Sequence, residues 1–345
     1  MRLSILDQAP ISSHQTAQEA LNESMKLAQM GEKLGYTRYW IAEHHDLPGL
    51  ACSAPEVMLS YIGANTSTIR IGSGAVLLPH YKPYKVAEVY NMLATLFPGR
   101  IDIGIGRAPG GSAEASNALS DNFLQQVWNM PKSVEQLLHF LNNDFPSDHE
   151  FKNLSASPVP PVSPIPWLLG TSKKSALLAA ENGMAYAFGQ FMSENNGPEI
   201  IQQYLDTFQP RKQGQKPEVI VAVNAICAET DQKALEIAIS SIVWSLQKGK
   251  GKGNEIPSIE EANQYPLYEK DLEALEKILR NLIYGNPKKV IKKLNEIASL
   301  FQADELMLVT ITHSPEDRVN SYQLIAEEVF QTEQKRKRLE QPRQA

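Results

Sequence analysis

Cysteine is nearly absent from this chain. Two thiols, Cys52 and Cys227, occur in 345 residues; they lie far apart and fit neither a zinc nor a redox spacing, so buried free thiols are expected rather than a disulfide. Positive charge is also scarce. Against 39 aspartates and glutamates stand 33 lysines and arginines, a formal net charge of -6, which argues against a nucleic-acid partner because phosphate neutralisation needs clustered cations. The one basic cluster, 335–338, falls in a polar C-terminal tail, 331–345, and reads as a solvated helix end. The opening residues lack the apolar core and small-residue cleavage site of a secretory signal, and no run approaches membrane-spanning length. A cytoplasmic protein without membrane contact is therefore expected.

Several catalytic signatures are missing too. There is no G-x-S-x-G elbow, no His-Glu-x-x-His helix, no Walker loop and no H-x-H pair on the first strand. Leu6-Asp7-Gln8-Ala9-Pro10 is no dinucleotide fingerprint, so the first apolar run does not open a doubly wound nucleotide fold.

What is present is alternation. An apolar run at 3–6 precedes a helical pattern in which Leu21, Met25 and Ala28 share a face, widened by Leu27 and Leu34 and ended by Gly35. Further strands are predicted at 39–41, 69–78, 101–105, 167–169, 185–187, 219–227 and 305–309. Helices are predicted at 56–62, 86–96, 175–181, 199–208, 234–246 and 287–300. Parallel strands require crossover helices, and eight such units close most simply into a single (β/α)8 TIM barrel over 1–330. Two segments break the rhythm as insertions, near 145–166 and 248–285. The first carries six prolines and reads as an extended connection. The second opens with Lys248-Gly249-Lys250-Gly251-Lys252-Gly253-Asn254, predicted as a mobile loop that serves either as a lid or as an insertion without a role.

In such a barrel the functional groups sit where strands end. Trp40-Ile41-Ala42-Glu43-His44-His45 runs from an apolar strand directly into a carboxylate and two imidazoles, which either face a pocket or line a loop; alternation along extended backbone lets one histidine point inward. Gly72-Ser73-Gly74-Ala75 offers a surface on which a flat ligand can lie, or simply tight barrel packing. In Gly104-Ile105-Gly106-Arg107-Ala108-Pro109-Gly110-Gly111, an arginine among glycines suits a phosphate or, equally, a carboxylate partner. Gly170-Thr171-Ser172-Lys173-Lys174-Ser175 places three hydroxyls at a helix start, more than capping alone requires. Together with Arg107 this suggests a phosphorylated cofactor. A metal site built from His44, His45 and His80 is the competing chemistry, as in a barrel hydrolase.

With these residues in hand, the chain resembles the bacterial luciferase-like flavin monooxygenases over almost its whole length. The matching pieces are Trp40 to His45 as spelled above, the strand ending Gly72-Ser73-Gly74-Ala75-Val76-Leu77-Leu78-Pro79, Phe97-Pro98-Gly99-Arg100-Ile101 leading to Gly104-Ile105-Gly106-Arg107, and Leu169-Gly170-Thr171-Ser172 with Ser175-Ala176. The resemblance implies reduced FMN at the C-terminal ends of the strands. It implies a phosphate group held by Arg107, Thr171, Ser172 and Ser175 with Gly170 also at the cofactor, a non-proline cis peptide at Gly74-Ala75 beneath the flavin ring, Phe188 near its pyrimidine edge, and His44 as the active-site imidazole. It further implies O2 and a small organic substrate, a separate NAD(P)H:flavin reductase as FMNH2 donor, and a homodimer. Within the same superfamily the deazaflavin F420, direct hydride transfer from NAD(P)H, or non-catalytic flavin storage are the alternatives.

Overall fold

The computed structural model describes residues 1–251 and 255–340, with side chains through 329. Residues 252–254 of the predicted mobile loop, and the side chains of the predicted tail with its cluster 335–338, lie outside the described residues. Nine strands occur among the described residues: β1 Arg2–Asp7, β2 Arg38–Ile41, β3 Arg70–Leu77, β4 Ile101–Gly106, β5 Ile165–Gly170, β6 Ala185–Gly189, β7 Val219–Cys227, β8 Leu282–Gly285 and β9 Glu305–Val309. β1 to β7 pair in parallel in chain order, β7 pairs β9, and β9 returns to β1, which closes an eight-stranded (β/α)8 barrel. All eight predicted strands belong to it. β8 is extra: it pairs only with the outer end of β7, from Asn224 to Cys227, beyond most of the β9 pairing.

Side-chain alternation sorts each strand between two cores. Leu3 and Ile5 of β1, Tyr39 and Ile41 of β2, Val219, Val221 and Val223 of β7, and Leu306 and Leu308 of β9 pack outward among the helices. Their neighbours Leu6, Trp40, Ile220 and Met307 fill the barrel interior together with Trp167. The period of two thus supplies both faces of every wall.

The helices are α1 Ala17–Lys33, α2 Pro55–Ala64, α3 Pro83–Leu96, α4 Ala113–Leu119, α5 Phe123–Trp128, α6 Met130–Asn142, α7 Lys173–Glu181, α8 Gly197–Thr207, α9 Asp231–Gly249, α10 Ile259–Asn263, α11 Leu272–Asn281, α12 Pro287–Leu300 and α13 Pro315–Glu340. α1 starts on a capping box between Thr16 and Glu19 and stops before Gly35, whose φ of +77° suits a residue without Cβ. The stretch α4 to α6 went unread in the sequence, although Val134, Leu137, Leu138 and Leu141 of α6 repeat at helical spacing and are buried.

The second insertion differs from the expected loop. α9 continues through Lys248 and Gly249, and α10, α11 and β8 follow; Leu275, Ile278, Leu279 and Leu282 pack on Ile237, Ile242 and Leu246 of α9. Ile256 is fully buried with Leu50 and Trp244, and its amide and carbonyl bond Ile11 and Ser13 after β1. These contacts pin the segment against the barrel mouth. Both cysteines are free and buried.

The N-terminal end of the barrel is plugged by charge. Arg38 Nε and Nη2 donate to Glu305, Arg38 Nη1 donates to Asp102 at 2.8 Å, and Arg70 takes the other Asp102 oxygen. Trp40 Nε1 also donates to Asp102, and Arg38 lies 4.7 Å from the Trp167 ring centroid. Both carboxylates are wholly out of water. Removing the cation would leave them unpaired, a loss of about 3–5 kcal/mol in comparable buried pairs. Arg38→Met is therefore expected to lower unfolding free energy by that order in a denaturant titration; a change below about 1 kcal/mol would show that the plug is not held by this ion pair.

Candidate active site

Interior residues shrink toward the C-terminal end of the barrel. Below stand Arg38, Trp40 and Trp167; above stand Ala42, Gly74, Gly106, Ala187, Gly189 and Ala222, all of which line a cavity of about 750 Å³. Small residues on a wall of fixed diameter leave a hole, and this one lies at the end where barrel enzymes place their chemistry. Leu6, Trp40 and Met307 floor it. Phe123, Leu124, Val127, Phe191 and Met192 wall it.

The residues expected at the cofactor and as the active-site imidazole all line this one cavity: His44, Gly74, Ala75, Arg107, Gly170, Thr171, Ser172, Ser175 and Phe188; His45 and His80, the other members of the alternative metal site, are not among its lining residues. The Gly74-Ala75 peptide bond is cis. Of the two adjacent histidines only His44 lines the cavity. Its amide donates to the Cys52 carbonyl at 2.9 Å, while its Nδ1 is buried without a partner. Burial pushes its pKa down to about 4, helped by the positive charge of Lys248 and by His45, so the imidazole is neutral at pH 7.

His45 turns away and serves the wall. Its Nε2 lies 2.8 Å from Glu43, a buried carboxylate that also accepts from Tyr81 OH at 2.7 Å and the Leu77 amide at 3.1 Å. The His45 amide donates to the Gly110 carbonyl, and His80 Nε2 sits 2.9 Å from the Pro109 carbonyl while stacking on Phe123 at 4.9 Å. The loop after β4, which carries Arg107, is thereby fastened at two carbonyls. Gly111 is required there, since a Cβ would stand 1.9 Å from the His45 oxygen.

Arg107 is exposed toward the cavity and forms no ion pair or side-chain hydrogen bond with a described residue, so the carboxylate partner weighed above is not found among them. Opposite it, capping of α7 uses two hydroxyls rather than one: Ser172 Oγ accepts from the Ser175 amide, and Ser175 Oγ accepts from the Ser172 amide. Ser175 Oγ also meets Tyr186 OH at 2.9 Å, in a space that exists because Gly170 has no Cβ to reach it. Burial pushes the Tyr186 phenol up to about 12, although the Ser175 hydrogen bond and the Arg107 charge oppose the shift. Thr171 keeps its hydroxyl free of described partners, with its carbonyl bonded by Asn195.

Several residues that line the cavity or support its wall had no motif to announce them: Phe123 and Lys248 line it, and Tyr81 and Tyr186 brace Glu43 and Ser175; His80, expected only as a metal ligand, holds the loop after β4 instead. Among the described residues no group of three or more His, Cys, Asp or Glu side chains is placed to hold a metal ion. No described helix is long and apolar enough to cross a membrane.

A family model described as luciferase-like monooxygenase matches residues 1–303. The chain belongs to the luciferase-like monooxygenase family. N-acetyl-S-alkylcysteine monooxygenase of Bacillus subtilis (strain 168) is 34% identical over 333 residues, covering 96% of this chain and 98% of that protein. The crystal structure of apo-MsnO8 superposes with a TM-score of 0.85 at 34% identity, over 95% of this chain and 97% of the other. At the level of fold, the oxygenating constituent of 3,6-diketocamphane monooxygenase from Pseudomonas putida, solved in complex with FMN, gives a TM-score of 0.69 at 19% identity, over 95% and 97%. This luciferase-like chain therefore shares its barrel with a monooxygenase constituent solved in complex with FMN.

The cavity makes a prediction about charge. Burial and Lys248 both disfavour the imidazolium, so His44 should stay neutral from pH 8 to about pH 5 in a ¹⁵N NMR titration and take up its proton near pH 4. Lys248→Met removes one of the three depressing effects and should raise that midpoint without reaching 6.5, because burial, the largest, and His45 remain. A His44 midpoint at or above 6.5 in the unaltered protein would contradict this.

Proposed function

We propose that this protein is an FMN-dependent monooxygenase, taking reduced FMN from a separate NAD(P)H:flavin reductase and using O2 to oxygenate a small organic substrate. The single observation that supports this most is the convergence on one cavity of a free arginine, a hydroxyl-lined helix start and a neutral buried imidazole. The fit is good in chemical terms. Arg107, Thr171 and the first turn of α7 offer charge and hydrogen-bond donors to an anionic tail. The Gly74-Ala75 backbone and Trp40 offer a flat apolar bed, and Phe188 and Gly189 close one side. Gln190, beside them, has Oε1 buried with no partner, which suits a donor on a heterocycle.

When bound, FMN supplies the redox chemistry that activates O2. The chain supplies the rest. Its apolar wall excludes water, the loop held by His45 and His80 keeps Arg107 in place, and Glu43 fixes the strand exit. His44 Nδ1 holds or releases one proton, a role open to an imidazole that is neutral and otherwise unpaired. A separate reductase is favoured because the glycine-rich loop after β4 is spent on the cavity wall. A homodimer is supported by exposed apolar residues on adjacent helices, Val57 and Tyr61 of α2 with Met92 and Leu96 of α3. We place the protein in the cytoplasm.

The decisive experiment is an anaerobic titration with reduced FMN, followed by admission of air while the flavin spectrum is recorded. Saturable binding and an altered oxidation time course are expected. Tight binding of F420 in preference to FMN, or direct reduction of bound FMN by NAD(P)H, would establish one of the related oxidoreductases instead; flavin binding with no oxidation of any offered substrate would indicate a storage protein. Arg107→Ala is expected to weaken FMN binding about tenfold to a hundredfold, the loss of about 1.5–3 kcal/mol for a hydrogen bond to a charged group. His44→Ala should bind flavin normally and lose product formation; normal turnover by that variant would remove the assigned role.

A further inference from the structure

Two cations line the cavity, and one phosphate tail accounts for one of them. Arg107 leaves β4 and acts on Tyr186, at the α7 side. Lys248 comes from the end of α9, which follows β7, three strands further round the barrel, and its charge is felt at His44. The two therefore serve different parts of the cavity.

Lys248 has no carboxylate partner among the described residues, unlike its neighbour Lys250, which pairs with Asp271 at 2.7 Å. Its ammonium stands 5.0 Å from the centroid of Trp244, an indole that is itself buried against Leu50 and Ile256. The side chain is solvent-accessible at the rim, yet the protein around it lowers its pKa. Among the described residues the sole carboxylate lining the cavity, Glu43, is already engaged by Tyr81, His45 and the Leu77 amide and is not available to neutralise it. The cavity that Lys248 lines has apolar walls, among them Leu77, Phe123, Leu124, Phe191 and Met192.

We propose that the substrates are carboxylates with an apolar body, the carboxylate held by Lys248 and the body lying among these apolar walls beside His44. This rests on the reading above, which commits Arg107 to the cofactor. An unpaired ammonium over a fixed aromatic ring at an apolar mouth recognises one anionic end of an otherwise greasy molecule, and a neutral analogue gains nothing from it.

Octanoate and its neutral counterpart octanamide test this, by calorimetric titration of the full-length protein with and without FMN. Octanoate is expected to bind at least tenfold more tightly than octanamide in both states. Lys248→Met should abolish that preference while leaving the FMN dissociation constant unchanged, Lys248→Arg should retain it, and Arg107→Ala should weaken FMN binding and leave the preference intact. Equal binding of the two probes, undetectable binding of both, survival of the preference in Lys248→Met, or displacement of FMN by octanoate would each overturn the proposal. Failure of FMN to bind would instead strike the flavin reading, since the octanoate preference is measured on the cofactor-free protein as well.

Discussion

The Arg38 guanidinium, held between Asp102 and Glu305 at one end of the barrel, is the constraint that lets the other end be hollow. Eight parallel strands enclose a cylinder of set diameter, and its interior must be filled somewhere or it collapses. Here the filling is concentrated low. Arg38 reaches from β2 to carboxylates on β4 and β9, Arg70 from β3 shares Asp102, and Ser4 of β1 bonds Glu305, so five strands meet through one charged cluster. Such a cluster is a poor source of net stability compared with apolar packing, but it is demanding of register: a strand slipped by one residue would place its charge outside the barrel. An arginine suits the task because it stays charged and offers donors in a fixed fork.

Above the plug, the buried polar groups Ser175 and Glu43 and the loop that carries Arg107 are each held by a second group. Ser175 is held by Ser172 and Tyr186, Glu43 by Tyr81, Leu77 and His45, and the loop of Arg107 by the His45 amide and the His80 ring. This is what an apolar surrounding demands of polar atoms. His44 breaks the pattern. Its Nδ1 is buried and unpartnered, and such an atom in a cavity wall is placed to meet a ligand.

How much of this could be read from the chain alone follows from which signals are local. The eight barrel strands were legible as short apolar runs between helical patterns, as in Tyr39-Trp40-Ile41, because a barrel wall is buried on both faces. β8 was not, since Leu282-Ile283-Tyr284-Gly285 is short and becomes a strand only by pairing with the end of β7. α6 carried a helical repeat of apolar residues and could have been found. Lys248 was assigned to a loop because of the Lys-Gly alternation that follows it, whereas packing of Ile242 and Leu246 against α11 carries the helix on through Gly249. The choice of His44 over His45 was open to the alternation rule, but the partners that hold His45, Glu43 excepted, lie some 35 to 65 residues away in sequence and are tertiary. Capping arithmetic misjudged α7: two serines are consumed by the box, so the argument for an anion there now stands on Arg107, Thr171 and the helix end rather than on surplus hydroxyls.

Charge around His44 ties these parts together. The two larger causes of its neutrality differ in character: burial, which is fixed by the fold, and the Lys248 ammonium, which is free to be neutralised, with His45 a smaller third. A carboxylate seated on Lys248 would cancel the second cause and leave the first, raising the affinity of the imidazole for a proton when that anion is present. Ligand occupancy and proton availability would then be linked by one lysine, with the linkage reciprocal: a protonated His44 would in turn strengthen the hold on the anion. Arg107 does not enter this coupling in the same way, since its charge acts on the Tyr186 phenol, which burial keeps protonated at neutral pH. The barrel thus separates a cation beside a phenol that stays protonated from one beside an imidazole whose proton affinity its charge controls, and the second is the end at which proton transfer is useful.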